Sequence, residues 1–427
     1  MQICMITNTY LPHVGGVARS VNTFTQKYRE RGHGTLVVAP SFPEARKSSD
    51  NVIRLPAIQN FNGSDFSVRL PIPGFLYEAM EEFKPDLVHS HHPFLLGDTA
   101  VRVARQWEVP LVFTHHTLYE RYTHYVPFNS KVMRDLAIKL ATSYANLCSL
   151  VIAPSESIAK LLHERGVTAP LEIVPTGVDV DFFQGGQGKR GRKKFQLGKE
   201  QLVIGHVGRL AYEKNLEYLS RAVSTFLTQN KTAVFLVVGD GQARPKMTDI
   251  FQEYGVSDRV LMPGKQSGTD LADAYRAMDL FVFASTSETQ GMVVAEAMAA
   301  GLPVVALDAP GVREVLQDGR NGKLLPPKTE AFSFANTLLE LTLPEEPREH
   351  LQTMSQNALK TARSFDKDSC VDTMLGHYEQ LLLHNDRVPG RASQEVWRRI
   401  LNGIAAEWEL LTQKANTLSA SISDENE

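Results

Sequence analysis

Short apolar runs alternate with longer segments of mixed polarity along most of the chain. In the first part these runs are QICMIT, GTLVVAP, DLVHSHH, PLVFTHH, SLVIAP and LEIVPTG. Continuous apolar runs of this length are typical of strands buried on both faces, and their alternation with helical segments predicts a parallel sheet. We therefore predict that residues 1–183 form a doubly wound, Rossmann-like α/β domain.

The alternation stops at residues 184–200, QGGQGKRGRKKFQLGKE, and then begins again. This segment is dense in Gly, Lys and Arg and has no hydrophobic period, which predicts a flexible connector. Beyond it come the runs QLVIGHVGRL, AVFLVVGDG, RVLMPG, LFVFAS and LPVVAL. They predict a second parallel α/β domain over residues 201–365, so the expected fold class is α/β with two Rossmann-like domains.

The last part of the chain, residues 386–427, lies outside this alternation. Within SQEVWRRILNGIAAEWELLTQ the apolar residues, Trp397 and Trp408 among them, fall near one helical face. Such a helix could rest on a bilayer surface or pack against protein, and the mixed charge signs on its polar face favour packing. The final SASISDENE is expected to be disordered.

Composition limits the classes of protein to be considered. The 427 residues suit two domains, and 43% apolar with 22% charged residues is typical of a soluble globular protein. The formal net charge of −3 argues against nucleic-acid binding. Cys4, Cys148 and Cys370 have neither disulfide nor zinc-ligand spacing, so we expect a reducing, cytoplasmic environment.

The segment SETQGMVVAEAMAAG places two glutamates eight positions apart around a glycine. Thr, Gln and Gly are poor helix formers, so Glu288 is expected in a loop after LFVFAS, with a helix starting near Met292 and Glu296 one turn in. The N-H groups of Gly291, Met292 and Val293 would then lie at a helix N-terminus between two carboxylates. Such a helix end binds phosphate.

Paired carboxylates also suggest a glycosidase, but the phosphate-sized gap between them argues against that class. The arrangement suits a sugar diphosphate, with amides on the phosphate, one glutamate on the sugar and the other on a ribose. The spacing alone fits equally well if Glu288 is a loop residue and Glu296 an exposed helix residue, with no shared role.

The segment GHVGRLAYEKN adds two cations to this end of the second domain. Arg209 follows a strand and a glycine, and Lys214 lies at the start of the next helix. Cations at the carboxyl end of a strand can hold a diphosphate and offset the charge that develops on it as the sugar bond breaks. Taken singly, either residue could instead be a surface or structural cation.

Gly15 and Gly16, in VGGVARS, lie between the first strand and the first helix. Glycines here let backbone approach a phosphate, although a tight turn explains a lone pair of glycines equally well. The spacing is not G-x-G-x-x-G, which disfavours a nicotinamide cofactor.

Six histidines follow two neighbouring strand runs. They form no familiar ligand set with Cys or carboxylate residues, so no metal site is predicted. Histidines at the ends of strands can contact sugar hydroxyls or move a proton, while a structural role remains the alternative for any one of them. These residues are His89, His91, His92, His115, His116 and His124.

Taken together, these motifs resemble the retaining glycosyltransferases of family 4, which have the GT-B fold. The resemblance extends to about residue 383 and depends on GGVARS, HSHHP, THHT, APSES, VPTGVD, GRLAYEKN, VGDGQ and, most specifically, ETQGMVVAEAMAAGLPVVA. It implies a nucleotide-sugar donor in a cleft between the domains, no obligatory metal, and a final helix in residues 366–385 that returns to the first domain. Closure of the cleft would exclude water.

The resemblance also implies a role for each motif residue. Arg209 and Lys214 would bind the donor diphosphate, Glu288 the transferred sugar and Glu296 the ribose. The amides of Met292 and Val293, beside Gly291, would contact phosphate from the second domain, Gly16 beside Gly15 from the first, and His116 would face the reacting sugar.

Within the family, HHTLYERYTHYVP and SETQG are similar to enzymes that glycosylate diacylglycerol-type lipids. We therefore expect a retaining hexosyltransferase that uses UDP-glucose and a membrane lipid acceptor. A GDP-mannose-dependent mannosyltransferase with a lipid-linked or soluble glycan acceptor is the alternative, since it shares most of these residues. An epimerase on the same fold or a non-catalytic subunit is less favoured.

Membrane contact is expected to be peripheral. No stretch reaches the ~18 uninterrupted apolar residues of a membrane span, and MQICMITNTYLP lacks the basic region of a signal peptide. Arg121, Lys131, Arg134 and Lys139 accompany aromatic and aliphatic residues in a way that suits an anionic inner leaflet. An ordinary amphipathic helix explains the same pattern.

Overall fold

The computed structural model describes residues 1–12, 15–42, 51–58, 68–69, 74–121, 131–286, 288–342 and 348–384. Its first domain contains the strands β1 (Gln2–Ile6), β2 (Gly34–Pro40), β3 (Val52–Leu55), β4 (Ala57–Ile58), β5 (Val68–Arg69), β6 (Leu87–Ser90), β7 (Leu111–Thr114), β8 (Leu150–Ala153) and β9 (Leu171–Ile173). Its helices are α1 (Gly16–Glu30), α2 (Gly74–Phe83), α3 (Leu96–Gln106), α4 (Lys131–Ala145) and α5 (Glu156–Glu164).

Seven of these strands form a parallel sheet in the order β3-β2-β1-β6-β7-β8-β9, and β4 and β5 pair separately as an antiparallel ribbon. Strand β1 is central and its residues Ile3, Cys4 and Met5 are fully buried, because apolar layers cover both faces of the sheet. The predicted doubly wound sheet is confirmed. Strand β3 was not predicted, since its sequence VIRL is short and carries Arg54 in the middle.

A connecting segment and the second domain follow. The segment contains α6 (Val180–Gln184) and α7 (Gly188–Lys194). The strands of the second domain are β10 (Val203–Val207), β11 (Val234–Val238), β12 (Val260–Gly264), β13 (Leu280–Phe283), β14 (Val304–Leu307) and β15 (Gly322–Leu325). Its helices are α8 (Leu216–Gln229), α9 (Arg244–Glu253), α10 (Gly268–Ala277), α11 (Met292–Ala299), α12 (Val312–Val315) and α13 (Ala331–Thr342).

The second sheet is also parallel, in the order β12-β11-β10-β13-β14-β15. In both sheets the strand order reverses beside the first strand, between β1 and β6 and between β10 and β13. Open α/β sheets bind ligands in the crevice outside the carboxyl ends of the strands at such a switch point. The two crevices therefore mark where a site is expected.

The prediction of a flexible connector at residues 184–200 is wrong in its local structure. Helix α7 packs closely against α10: a Cβ atom added at Gly188 would lie 2.4 Å from the carbonyl oxygen of Arg276, and one at Gly191 would lie 2.3 Å from that of Asp273. Arg190 forms an ion pair with the buried carboxylate of Asp273. The glycines that suggested flexibility thus permit close helix packing.

The chain passes between the domains at two adjacent points. On the way out, Gly177 adopts a φ of +82°, and the amide of Val178 donates to the carbonyl of Phe365 over 2.7 Å. On the way back, the amide of Lys367 donates to the carbonyl of Val178, and its ammonium forms an ion pair with Asp179. The two crossings are therefore joined to each other.

Two long helices complete the described chain, α14 (Arg348–Ser364) and α15 (Lys367–Leu383). Helix α15 packs on the first domain, where the hydroxyl of Tyr28 on α1 donates to that of Tyr378 over 3.1 Å, and Val371 and Met374 are buried beside the first sheet. In the described part of the chain, no helix combines the length and apolar character needed to cross a membrane.

Candidate active site

Lys214 and Glu288 form an ion pair at the switch point of the second sheet. Lys214 ends a single 3-10 turn after β10, and Glu288 lies in the loop after the neighbouring strand β13. The Lys214 Nζ atom lies 2.5 Å from Oε1 of Glu288, and the two side chains are 18% and 17% exposed. The sheet therefore brings together two residues that are far apart in the sequence.

The environment of Glu288 keeps its carboxylate ionised. Burial raises the pKa of Glu288, but the charge of Lys214 and hydrogen bonds from Lys214 and Ser285 outweigh it, so the net pKa lies below the ordinary value. An ionised carboxylate accepts hydrogen bonds and donates none. Glu288 can therefore accept hydrogen bonds from hydroxyl groups.

Arg209 lies in the loop after β10 and forms an ion pair with Glu213, whose side chain is buried. The loop after β11 braces this segment: a Cβ atom at Gly239 would lie 1.8 Å from the carbonyl oxygen of Gly208, and one at Gly241 would lie 2.4 Å from that of Leu210. Only glycine permits these approaches, which accounts for the VGDG sequence. The braced loop holds Arg209 near the switch point.

Helix α11 begins at Met292, and Gly291 precedes it with a φ of +70°. The amides of Met292 and Val293 belong to the first turn of this helix, where N-H groups have no partner within the helix. Gly291 packs against Gly311, whose carbonyl oxygen would lie 2.8 Å from an added Cβ atom. Glu296 follows one turn into the helix.

Glu296 is buried and both of its carboxylate oxygens have partners. Oε1 lies 2.8 Å from a guanidinium nitrogen of Arg19 on α1, and Oε2 accepts a hydrogen bond of 2.7 Å from the hydroxyl of Tyr275 on α10. The reading of Glu296 as an exposed helix residue is therefore wrong. The ion pair with Arg19 joins the two domains.

The first domain places Gly15, Gly16 and His116 at the carboxyl ends of its strands. Gly15 caps the N-terminus of α1, and a Cβ atom added at Gly16 would meet no atom within 4 Å. The Nε2 atom of His116 lies 2.9 Å from Nδ1 of His91, and the two rings are stacked. Both groups therefore lie near the switch point of the first sheet.

The loop that carries Glu288 contacts the first domain directly. The hydroxyl of Thr289 donates to the carbonyl of His116 over 2.8 Å, and the carbonyl of Thr289 accepts from the hydroxyl of Ser155 over 2.8 Å. The side-chain oxygen of Gln290 accepts from the amide of Thr176 over 3.0 Å. These contacts join the loop after β13 to the segments that follow β7, β8 and β9 in the first domain.

His89, His91, His92 and His115 are buried in the first domain, and His116 is half-buried beside them. His89 hydrogen-bonds with Tyr378 and Thr114, and Nδ1 of His92 accepts from the amide of Asn8. Burial lowers the pKa of His89, His92, His115 and His116 to about 3. Burial also holds the pKa of His91 well below its ordinary value. Among the described residues no three His, Cys, Asp or Glu side chains are placed to hold a metal ion, and His124 lies outside them.

Sequence reasoning missed several residues of this site. Arg19 and Glu213 lie in the motifs GGVARS and GRLAYEKN but were not singled out there, and Tyr275 lies outside every motif. The pairing of Arg19 and Tyr275 with Glu296 is visible only once the two sheets are assembled. Thr289 and Gln290 were read only as poor helix formers, although their place between Glu288 and the helix start made them part of the same loop. All of them except Gln290 contact a residue that the sequence indicated as part of the site.

Two parallel-sheet domains whose switch points face each other are the architecture of the GT-B fold. A solved structure that shares the fold is sucrose-phosphate synthase from Thermosynechococcus elongatus, with a TM-score of 0.74 and 20% identity over 90% of this chain and 100% of that one. The family model for glycosyl transferases group 1 matches residues 189–361, and that for glycosyltransferase family 4 matches residues 14–182. The chain belongs to this family of glycosyltransferases.

The names of relatives in this family describe different reactions. An alpha-monoglucosyldiacylglycerol synthase from Streptococcus pneumoniae is 27% identical over 94% of this chain and 92% of its own length. A GDP-mannose-dependent alpha-mannosyltransferase from Mycobacterium tuberculosis is 29% identical over 89% of this chain and 96% of its own length. Both similarities extend over both domains.

Proposed function

We propose that the protein is a retaining hexosyltransferase that moves glucose from UDP-glucose to a membrane lipid such as diacylglycerol. The observation that carries the proposal is the ion pair of Lys214 with Glu288 at the switch point, beside Arg209 and the first amides of α11. A cation and amides suit a diphosphate, and an ionised carboxylate suits sugar hydroxyls. The similarity to a monoglucosyldiacylglycerol synthase supports the choice of sugar and acceptor.

In the proposed reaction the bond between the anomeric carbon and the diphosphate oxygen breaks, and the acceptor oxygen bonds to that carbon on the same face. The proton of the acceptor hydroxyl passes to the leaving phosphate oxygen. Arg209 and Lys214 stabilise the negative charge that develops on the diphosphate. Glu288 positions the sugar through its hydroxyls, while His116, Gly15 and Gly16 face the donor from the first domain.

We assign Glu296 to the ribose of the donor. The amides of Met292 and Val293, which follow Gly291, are assigned to its phosphates. We propose that these groups suffice without a metal ion. Transfer that continues undiminished in EDTA is the expected result. Loss of transfer in EDTA that Mg²⁺ restores would contradict this part of the proposal.

The proposed acceptor requires contact with a membrane surface at the inner, cytoplasmic face. Arg134 and Lys139 are exposed on α4, whose Leu140 and Tyr144 are buried in the first domain. Exposed cations on an anchored helix can dock on anionic lipids. The proposed amphipathic helix in residues 386–427 lies outside the described residues.

The donor is tested by thermal shift with UDP, GDP and ADP sugars, because a ligand that binds only the folded state raises its melting temperature. We expect the largest shift with UDP-glucose. Incubation with that donor and diacylglycerol in anionic vesicles should then yield glucosyldiacylglycerol by mass spectrometry. Conversion of the donor without acceptor would instead identify an epimerase, and absence of any donor shift would contradict the proposal.

The second candidate is a GDP-mannose-dependent mannosyltransferase. The M. tuberculosis relative favours it, since its identity of 29% is similar to that of the lipid glucosyltransferase. A larger thermal shift with GDP-mannose, and mannosylation of a lipid-linked or soluble glycan, would select this candidate.

A further inference from the structure

The carboxylate assigned to the donor ribose is already occupied from the opposite domain. Arg19 holds Oε1 of Glu296 and Tyr275 holds Oε2, and the Glu296 side chain is only 5% exposed. A ribose diol that binds this carboxylate needs an oxygen that Arg19 now contacts. The donor and Arg19 therefore compete for Glu296.

Arg19 can leave this carboxylate, because 43% of its side chain is exposed. Water can solvate the freed guanidinium, so the cost of separation falls on the buried carboxylate of Glu296. Glu296 would retain the hydrogen bond from Tyr275 and gain hydrogen bonds from the ribose. A new partner is needed, since burial raises the pKa of Glu296 above its ordinary value even with Arg19 and Tyr275 in place.

Arg19 also lies where it could meet an anion. It belongs to the first turn of α1, which starts behind Gly15 and Gly16, and an added Cβ atom at Gly16 would face open space. Glu296 belongs to the second turn of α11. The ion pair thus lies between the N-termini of two helices, and both helix dipoles favour negative charge there.

We propose that Arg19 is a donor-binding residue of the first domain that exchanges partners, from Glu296 in the free protein to the diphosphate when the donor binds. This inference rests on the proposed function. A guanidinium can bind phosphate oxygens through two parallel hydrogen bonds. The exchange therefore replaces one hydrogen bond to a carboxylate with two hydrogen bonds to the diphosphate. The same step makes Glu296 available to the ribose.

The test compares a nucleoside diphosphate with its nucleoside in Arg19→Gln. Calorimetry measures binding of UDP or GDP, whichever the wild type binds, and ligand-observed NMR measures the matching nucleoside. We expect Arg19→Gln to bind the diphosphate at least about tenfold more weakly, as loss of a charge-assisted hydrogen bond predicts. Nucleoside affinity should stay unchanged or increase, because Glu296 no longer has a competitor.

Two variants control this experiment. Lys27→Gln removes a cation from the same helix, where it pairs with Glu30 and Asp368, and should bind both ligands like the wild type. Arg19→Lys keeps the charge but cannot form the two parallel hydrogen bonds. Its affinity for the diphosphate should lie between those of Arg19→Gln and the wild type. Circular dichroism and melting temperature confirm that each variant is folded.

Several results would overturn the exchange. If Arg19→Gln binds the diphosphate as tightly as the wild type, Arg19 makes no phosphate contact. If diphosphate and nucleoside lose affinity equally, Arg19 only holds the ribose pocket in shape. If the wild type binds no nucleoside diphosphate, the proposed function itself fails, which is a distinguishable outcome.

Discussion

The hydroxyl of Thr289 in the second domain donates a hydrogen bond to the backbone carbonyl of His116 in the first, over 2.8 Å. Thr289 is the neighbour of Glu288, and its own carbonyl accepts a hydrogen bond from Ser155. The loop that carries the sugar-binding candidate is therefore attached to the opposite domain. We infer that cleft closure and the placement of Glu288 are coupled.

Thr289→Val tests this coupling, because valine keeps the shape of threonine but cannot donate to His116. One hydrogen bond contributes about 0.5–1.5 kcal/mol, so we expect transfer kcat/KM to fall roughly two- to tenfold. Steady-state kinetics with donor and acceptor measure this change. Thr289→Ser keeps the hydroxyl and should retain wild-type values, and equal losses in both variants would contradict the coupling.

Lys214→Ala removes the cation assigned to the leaving diphosphate. We expect turnover to fall by about two orders of magnitude or more, as loss of a preorganised charge-stabilising group predicts. Transfer assays at saturating donor measure the effect. The matched control is Lys231→Ala, an exposed lysine before β11 that should leave turnover unchanged, and near-normal turnover in Lys214→Ala would count against the assignment.

Glu288→Gln keeps the size of the side chain but removes its charge. We expect a smaller loss of turnover than in Lys214→Ala, because the amide still hydrogen-bonds to sugar hydroxyls and Lys214 remains to stabilise the diphosphate. Parallel assays of the two variants give the comparison. A greater loss in Glu288→Gln would indicate that the carboxylate itself takes part in bond formation.

Gly177→Ala should destabilise the junction between the domains. A left-handed backbone costs a non-glycine residue about 1–2 kcal/mol, and the new Cβ atom would lie 2.5 Å from the Cα atom of Lys367. Urea unfolding should show a loss of about 2 kcal/mol or more. Gly166→Ala is the control, since Gly166 also has a positive φ but no atom within 4 Å, and equal losses would rule out the contact with Lys367.

Acid should destabilise the first domain through its buried histidines. Burial lowers the pKa of His89, His92, His115 and His116 to about 3, against 6.5 for the free side chain. Below pH 6.5 the unfolded chain therefore binds more protons than the folded one, and the free energy of unfolding falls as pH falls toward 3. Each such histidine lowers the free energy of unfolding by about 1.4 kcal/mol for every pH unit between its unfolded and its folded pKa.

Urea unfolding at a series of pH values from 7 to 4 measures this slope. His115→Phe offers a matched comparison, since neither ring nitrogen of His115 has a hydrogen-bond partner among the described residues and its ring packs on Phe113 and Tyr119. We expect a shallower slope in the variant. A slope that equals that of the wild type would contradict a neutral, buried His115.

The sequence predicted the strands that lie in continuous apolar runs, because runs of this length are typical of buried strands. It did not predict β3 or β15, whose sequences VIRL and GKLL are short and carry a cation. The connector was misread for a different reason. Glycine allows both flexibility and close packing, and only the position of α10 decides between them.

The site was predictable as far as its residues share a local motif. The start of α11 at Met292 follows from the poor helix formers before it, and the loop position of Glu288 follows from the same residues. The partner of Glu296 did not follow, since Arg19 is 277 positions away and meets it only when the domains face each other. Contacts between domains leave no periodic pattern of residues in the sequence.

Helix α15 is the last of the described helices, yet it supplies Tyr378 to the core of the first domain, where it contacts Tyr28 and His89. A hybrid enzyme that combines the front half of this protein with the rear half of a relative would therefore join a foreign helix to the front half. To exchange donor preference without damage, the transplanted block must end before Lys367, so that α15 stays with its own partners.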